Sequence, residues 1–137
     1  MSRSTKLVSA AYIMSYVAAK HPEQLTTDSI AEALKDHPAR VRQIVASLVK
    51  AELLKSLRGA GGGVALGRPP DKITLKDLYL AVDDQPLLAL GLRDGFDGWD
   101  KICSVRPIIS ALYTEMEGDL IGKLAKVRLS SLYKPAR

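Results

Sequence analysis

Five stretches of the chain repeat apolar residues at three- and four-residue intervals, the spacing that lines one face of an α-helix. Between about Ser4 and Ala19, Leu7, Val8, Ala11, Ile13, Met14, Tyr16, Val17 and Ala18 cover too wide an arc for a surface helix, so this helix is expected to be largely buried. His21-Pro22 ends it. Thr27 or Asp28 then caps a short helix through Leu34, with Ile30, Ala31 and Leu34 facing inward. Lys35-Asp36-His37 forms a turn, and Pro38 opens a third helix to about Ala51. Its stripe is Val41, Ile44, Val45, Leu48 and Val49, with Arg40, Arg42, Gln43, Ser47 and Lys50 off it.

Leu53 to Arg58 and Val64 to Gly67 read as short strands joined by Gly59-Ala60-Gly61-Gly62-Gly63. Thr74 caps a fourth helix through about Val82, with Leu75, Leu78, Tyr79 and Val82 as its stripe. Residues 83–103 read as a loop, and loops of that length in a small domain are usually functional or mobile. The longest helix begins near Val105 or Arg106 and ends near Leu124 or Val127, and the tail LSSLYKPAR is expected to add a short packing helix. Gly118 and Gly122 cost about 1 kcal/mol each against Ala in a helix interior, which is easiest to explain if another helix crosses there.

Two short helices across a tight turn, followed by a glycine-tipped β-ribbon, predict a winged helix-turn-helix. The expected fold class is mainly α with a small β-hairpin: a winged helix-turn-helix over 1–82, a connecting or sensing loop over 83–104, and a long C-terminal dimerisation helix with its tail over 105–137. The glycine turn does not fit a nucleotide-binding loop. No Lys-Ser/Thr follows it, and Val64 stands where a dinucleotide fingerprint needs its third glycine. A glycine-rich hairpin with no ligand stays open as a bland alternative.

Charge sharpens this picture. The whole chain carries +5, but residues 35–76 hold nine Lys/Arg against three Asp/Glu, residues 77–119 hold three against nine, and residues 120–137 hold five cations and no acid. A basic segment over the groove-reading elements is the footprint of a duplex binder, although a solvated basic face gives the same count. At 137 residues the chain suits one compact domain, or one domain plus a dimerisation arm. No apolar run of 18 residues marks a transmembrane helix, and the N-terminus does not read as a signal peptide. One cysteine, Cys103, excludes an internal disulfide and fits a reducing cytoplasm, where the chain is expected. No catalytic or metal-ligand spacing stands out, so neither an enzyme nor a cofactor is expected. His21 and His37 each neighbour a proline at a helix boundary, where capping or exposure accounts for them. Cys103 stands before a helix start near Lys101 and Arg106, a setting that favours a thiolate; a redox switch and an inert buried cysteine both remain open readings.

With these elements placed, AELLKSLRGAGGGVALGRPPDKITLKDLYLAVD, residues 51–83, resembles the Rrf-two family of bacterial winged-helix transcription regulators. The likeness lies in the RGAGGG turn, its spacing and the helix after it; it extends back through VRQIVASLVKAELL and more weakly over the whole chain. It implies double-stranded DNA as the partner, with His37, Arg40, Arg42, Gln43 and Ser47 facing the duplex from the recognition helix. The same resemblance implies that Arg58, with Gly59 and Gly61, belongs to a wing that enters a minor groove. It also implies a homodimer built on the first helix and on Ile108, Ile109, Leu112, Met116 and Leu120. Cluster-binding members carry three closely spaced cysteines before the long helix; here only Cys103 stands there, which points to the cluster-free branch. The function expected is a sequence-specific repressor on a palindromic operator. Two alternatives stay beside it: a winged-helix module that binds protein, and a thiol-based sensor acting through Cys103. The inducing small molecule or protein effector is not specified by the sequence.

Overall fold

The computed structural model describes residues 3–58, 62–82 and 104–134, and side chains from residue 5. Its elements are α1 (Arg3–Ala19), α2 (Thr27–Leu34), α3 (Pro38–Lys50), β1 (Leu54–Ser56), β2 (Val64–Leu66), α4 (Leu75–Val82) and α5 (Val105–Leu124), with 3-10 turns at Pro70–Lys72 and Leu129–Ser131. This is the expected mainly helical winged fold. Both strands are shorter than the sequence predicted. They pair antiparallel with Leu54 opposite Leu66, Lys55 opposite Ala65 and Ser56 opposite Val64. Leu25 adds a single bridge to Val64, whose N–H donates to the Leu25 carbonyl at 2.8 Å.

One apolar core unites the first four helices. Ile13 and Met14 of α1, Ile30 of α2, Val41 and Leu48 of α3, Leu53, Ile73 and Leu78 are all closed to solvent or nearly so. Burying a side chain of this size contributes about 1.5–3 kcal/mol. The tail belongs to this core as well. Leu129 is buried, and the strand-like run 73–75 pairs with 127–129 through Leu75 N–H to the Val127 carbonyl and Leu129 N–H to the Ile73 carbonyl. Two expectations need correction. Val8, read as part of a largely buried α1, is 52% exposed. The cap of α2 is Thr26, not Thr27 or Asp28: its Oγ1 accepts from Ser29 N–H at 3.0 Å, and the Ser29 hydroxyl donates back to the Thr26 carbonyl at 2.8 Å. The Thr26 side chain thereby satisfies one of the donors a helix start leaves open. Thr74 caps α4 as expected, in a reciprocal box: its Oγ1 accepts from Asp77 N–H while Asp77 Oδ2 accepts from Thr74 N–H.

Two left-handed residues that are not glycine close the ends of α2 and α3. Lys35 (φ 55) follows α2, with Lys35 N–H donating to the Glu32 carbonyl and Asp36 N–H to the Ala31 carbonyl. Glu52 (φ 63) follows α3, with Glu52 N–H donating to the Val49 carbonyl and Leu53 N–H to the Leu48 carbonyl. Both are Schellman turns, in which crossed hydrogen bonds satisfy the last carbonyls of a helix. The second also joins Leu48 to Leu53, both buried, so packing holds a glutamate in a conformation glycine adopts freely. The root of the wing is tight. A Cβ on Gly67 would sit 2.3 Å from the Glu52 carbonyl oxygen, and one on Gly63 (φ 132) would sit 2.9 Å from that of Leu25.

Candidate nucleic-acid interface

The buried stripe of α3 leaves Arg42, Gln43, Ala46 and Lys50 exposed within an arc of about 100° at 3.6 residues per turn. The opposite side of the helix is pinned by Val41, Ile44, Val45 and Leu48, which fixes the direction of the polar face. Between this face and the wing runs an open groove. Arg42, Ala46 and Lys50 form one wall, Ser56, Leu57 and Gly63 the other, and Thr26 and Thr27 at the start of α2 close one end. Arg58, exposed, leaves β1 toward the wing tip. Gly59 and Gly61, also expected at the interface, lie outside the described residues.

The two arginines of α3 have different situations. Arg42 is exposed. Arg40, two residues earlier, has a side chain only 19% exposed: its Nη1 donates to Asp36 Oδ2 at 3.0 Å and its Nη2 to the Thr5 carbonyl at 3.2 Å. Arg40 therefore ties the first turn of α1 to the turn between α2 and α3. Asp36 also accepts from the His37 N–H at 2.7 Å, and His37 Nδ1 accepts from Ala39 N–H at 3.2 Å as the cap of α3. His37 thus closes the helix start as well as standing on the exposed side. Ser47 is half-buried on the flank, its hydroxyl donating to the Gln43 carbonyl at 3.2 Å.

Lys50, absent from the residues singled out as DNA-facing in the sequence, belongs to the groove wall. The signal for it was its spacing of four and eight from Ala46 and Arg42. Thr26 and Thr27 carried no comparable signal, because only the packing of α2 brings them to the groove end.

The long helix presents a second surface. No residue of α5 is buried, and Val105, Ile108, Leu112 and Met116 are exposed. Ile109 and Leu120 are half-buried toward α4, where the Tyr79 hydroxyl donates to Glu117 Oε1. A Cβ at Gly118 or Gly122 would meet nothing within 4 Å, so among the described residues no helix crosses there. Cys103 and the loop before α5 lie outside the described residues. No helix among the described residues is long and apolar enough to cross a membrane.

Comparison with known proteins bears on this arrangement directly. Residues 3–135 match the Rrf2 family model, described as an iron-dependent transcriptional regulator. YffB of Lactococcus lactis, a candidate HTH-type transcriptional regulator by its name, is 32% identical over 120 residues, covering 85% of this chain and 77% of YffB. The HTH-type transcriptional regulator CymR of Bacillus subtilis is 42% identical over 84 residues, or 61% of each chain. The solved structure of that CymR, titled the global cysteine regulator, superposes with a TM-score of 0.66 at 28% identity, covering 93% of this chain and 92% of its own. An IscR structure from T. potens shares the fold, with a TM-score of 0.65 at 22% identity over 95% of this chain and 82% of its own. The chain belongs to the Rrf2 family of winged-helix transcriptional regulators, which are not enzymes.

Proposed function

We propose that this chain is a homodimeric, sequence-specific DNA-binding repressor that works in the cytoplasm without an iron–sulfur cluster. The observation that carries the reading is the open groove between the exposed face of α3 and the wing strands, with exposed Arg58 next along the chain from its wall residue Leu57. Arg42 and Gln43 are placed to read base edges in a major groove, since Arg pairs with guanine and Gln with adenine through two hydrogen bonds each. Lys50 and Ser47 flank them, and the N-cap His37 stands at the leading end. Arg58 and the glycines at 59 and 61 reach the adjacent minor groove, where narrow A·T tracts concentrate negative potential. Arg40 acts here as a positioning residue that holds α3 against α1.

The exposed apolar side of α5 supports the second half of the reading. Ile108, Leu112 and Met116, with Ile109 and Leu120 at the margin, pair with a second copy, so that residues 1–82 hold DNA and 105–137 hold the partner. Symmetry then makes the operator an imperfect palindrome with half-sites about 34–36 Å apart or a multiple of that. The cluster-free clause rests on the single cysteine, which leaves two of a cluster's three cysteine ligands missing.

The test is to sequence genomic fragments retained by the purified protein and titrate them at several salt concentrations. Palindromic sites are expected, with the logarithm of affinity falling by about 0.9 per phosphate contact against the logarithm of salt. Retention of no fragment, or salt-independent binding, overturns DNA binding. Protein purified without oxygen is expected to be colourless, and a brown protein with visible absorption overturns the cluster-free clause.

A further inference from the structure

The ribbon has a second face, and a separate cavity lies against it. Ser56 and Val64, paired across the strands, line the groove toward α3. Lys55 and Ala65, the next pair, alternate to the other side and line a cleft of about 490 Å³. The two cavities share no lining residue, so an occupant of one does not occupy the other. The cleft is closed by the end of α1 with His21, by Arg68 and Pro69 in the link after β2, and by Tyr133 of the tail.

Its chemistry is one-sided. His21, Lys55 and Arg68 converge on it with Tyr133, over a floor of Leu66 and proline, and among the described residues no acidic side chain lines it. Outside the cleft, Arg68 pairs with Asp77 at 3.7 Å from Nη1, and a neighbouring hollow is lined by Lys55, Arg68 and Glu52. Asp77 is already engaged by the N–H and hydroxyl of Thr74, and a guanidinium has five N–H donors, so most of Arg68 is left for another acceptor. The volume is in the range of pockets that take small molecules, and such sites combine an apolar lining with a few convergent polar groups.

We propose that this cleft binds a small organic anion, a carboxylate or phosphate ester with an apolar body, whose charged end lies between Lys55 and Arg68 and whose body covers Leu66 and Pro69. Resting on the DNA-binding reading, its consequence is regulatory. The ligand joins the wing to α1 and the tail from behind, and it neutralises cations at the wing root. Operator affinity therefore falls when the cleft is filled, and by linkage operator DNA weakens the ligand by the same factor.

Phenyl phosphate serves as the probe, titrated into the isotope-labelled full chain. Saturable amide shifts are expected at Lys55, Ala65, Leu66 and Arg68. Lys55→Gln and Arg68→Gln should each weaken the probe by about tenfold, the loss of one charge-assisted contact. Phenol, the uncharged body, should not saturate the site, and inorganic phosphate should bind more weakly than the ester. The proposal is overturned if shifts are absent at about 10 mM probe, well past the weakest binding of interest. Shifts mapping to α3 and the wing tip, or inorganic phosphate binding as tightly as the ester, also overturn it. Operator titrations of the same variants separate the two readings. If Lys55→Gln and Arg68→Gln lose operator affinity and salt dependence while the probe does not bind, the cations are DNA phosphate contacts, and only the ligand site fails. If the probe binds as expected but no operator is found, the site stands and the DNA-binding reading fails.

Discussion

In α3, Val41, Ile44, Val45 and Leu48 are all buried, whereas in α5 Val105, Ile108, Leu112 and Met116, spaced by the same helical period, all stand exposed. Helix α3 packs against α1, α2, α4 and β1 within one chain, whereas α5, among the described residues, packs mainly against α4. A 3.6-residue stripe therefore states that a face will be covered and leaves open what covers it. In the winged helix the cover is the chain itself; for α5, in the function proposed here, it is a second copy.

Substitutions that separate the two stripes test this contrast most strongly. Leu48→Ala is expected to lower unfolding stability by about 2–5 kcal/mol, the range for emptying a closed core site, measured by denaturant titration. Leu112→Asp is expected to leave the winged-helix amide spectrum native while turning a sedimenting dimer into a monomer, because a charge there would otherwise be buried unpaired. A Leu112→Asp protein that stays dimeric would remove α5 from the interface, and one that unfolds would erase the difference between the stripes.

The next effect falls on the DNA-facing side. Arg58→Ala is expected to cost about 1–3 kcal/mol of operator binding if the side chain reads bases, or to lower the salt slope by about one if it meets phosphate. Arg42→Ala should behave similarly with little change in thermal stability, since its side chain is exposed. Arg40→Ala should instead show as lost thermal stability, because it removes the tie between Asp36 and Thr5. Equal binding losses and unchanged melting in both α3 variants would cancel the distinction drawn between them.

Smaller changes report on the turns that orient the helices. Thr26→Ala should cost about 0.5–2 kcal/mol as a lost N-cap, whereas Asp28→Ala should not, read from melting curves. Glu52→Gly should raise stability by about 0.4–1 kcal/mol, since glycine adopts the left-handed conformation without a Cβ penalty. No gain there would mean that the turn strains nothing.

Much of the winged helix was legible because its signals are local. The α3 stripe, Pro38 at the helix start, Thr74 before α4 and the glycine turn each act through neighbours a few residues away, and each marks its element without reference to the rest of the chain. Element ends were less legible. Thr26, Thr27 and Asp28 are all competent caps, and only the backbone path from Leu25, held by its bridge to Val64, decides that Thr26 takes the role. The turns at Lys35 and Glu52 carry no glycine to announce them, because buried neighbours impose the left-handed conformation.

The sequence by itself determined the elements, their order, the basic segment over the recognition helix and wing, and the resemblance to the family. Only the tertiary structure decided which of two nearby arginines faces outward. Arg40 and Arg42 both lie off the apolar stripe, and periodicity treats them alike. Two residues are about 200° of helix, however, and at that rotation one side chain meets Asp36 and the start of α1 while the other meets solvent. The tertiary structure also brought Leu129 back into the first core and gathered His21, Lys55, Arg68 and Tyr133 around one cleft. Such convergence joins residues more than a hundred positions apart, and no local pattern encodes it.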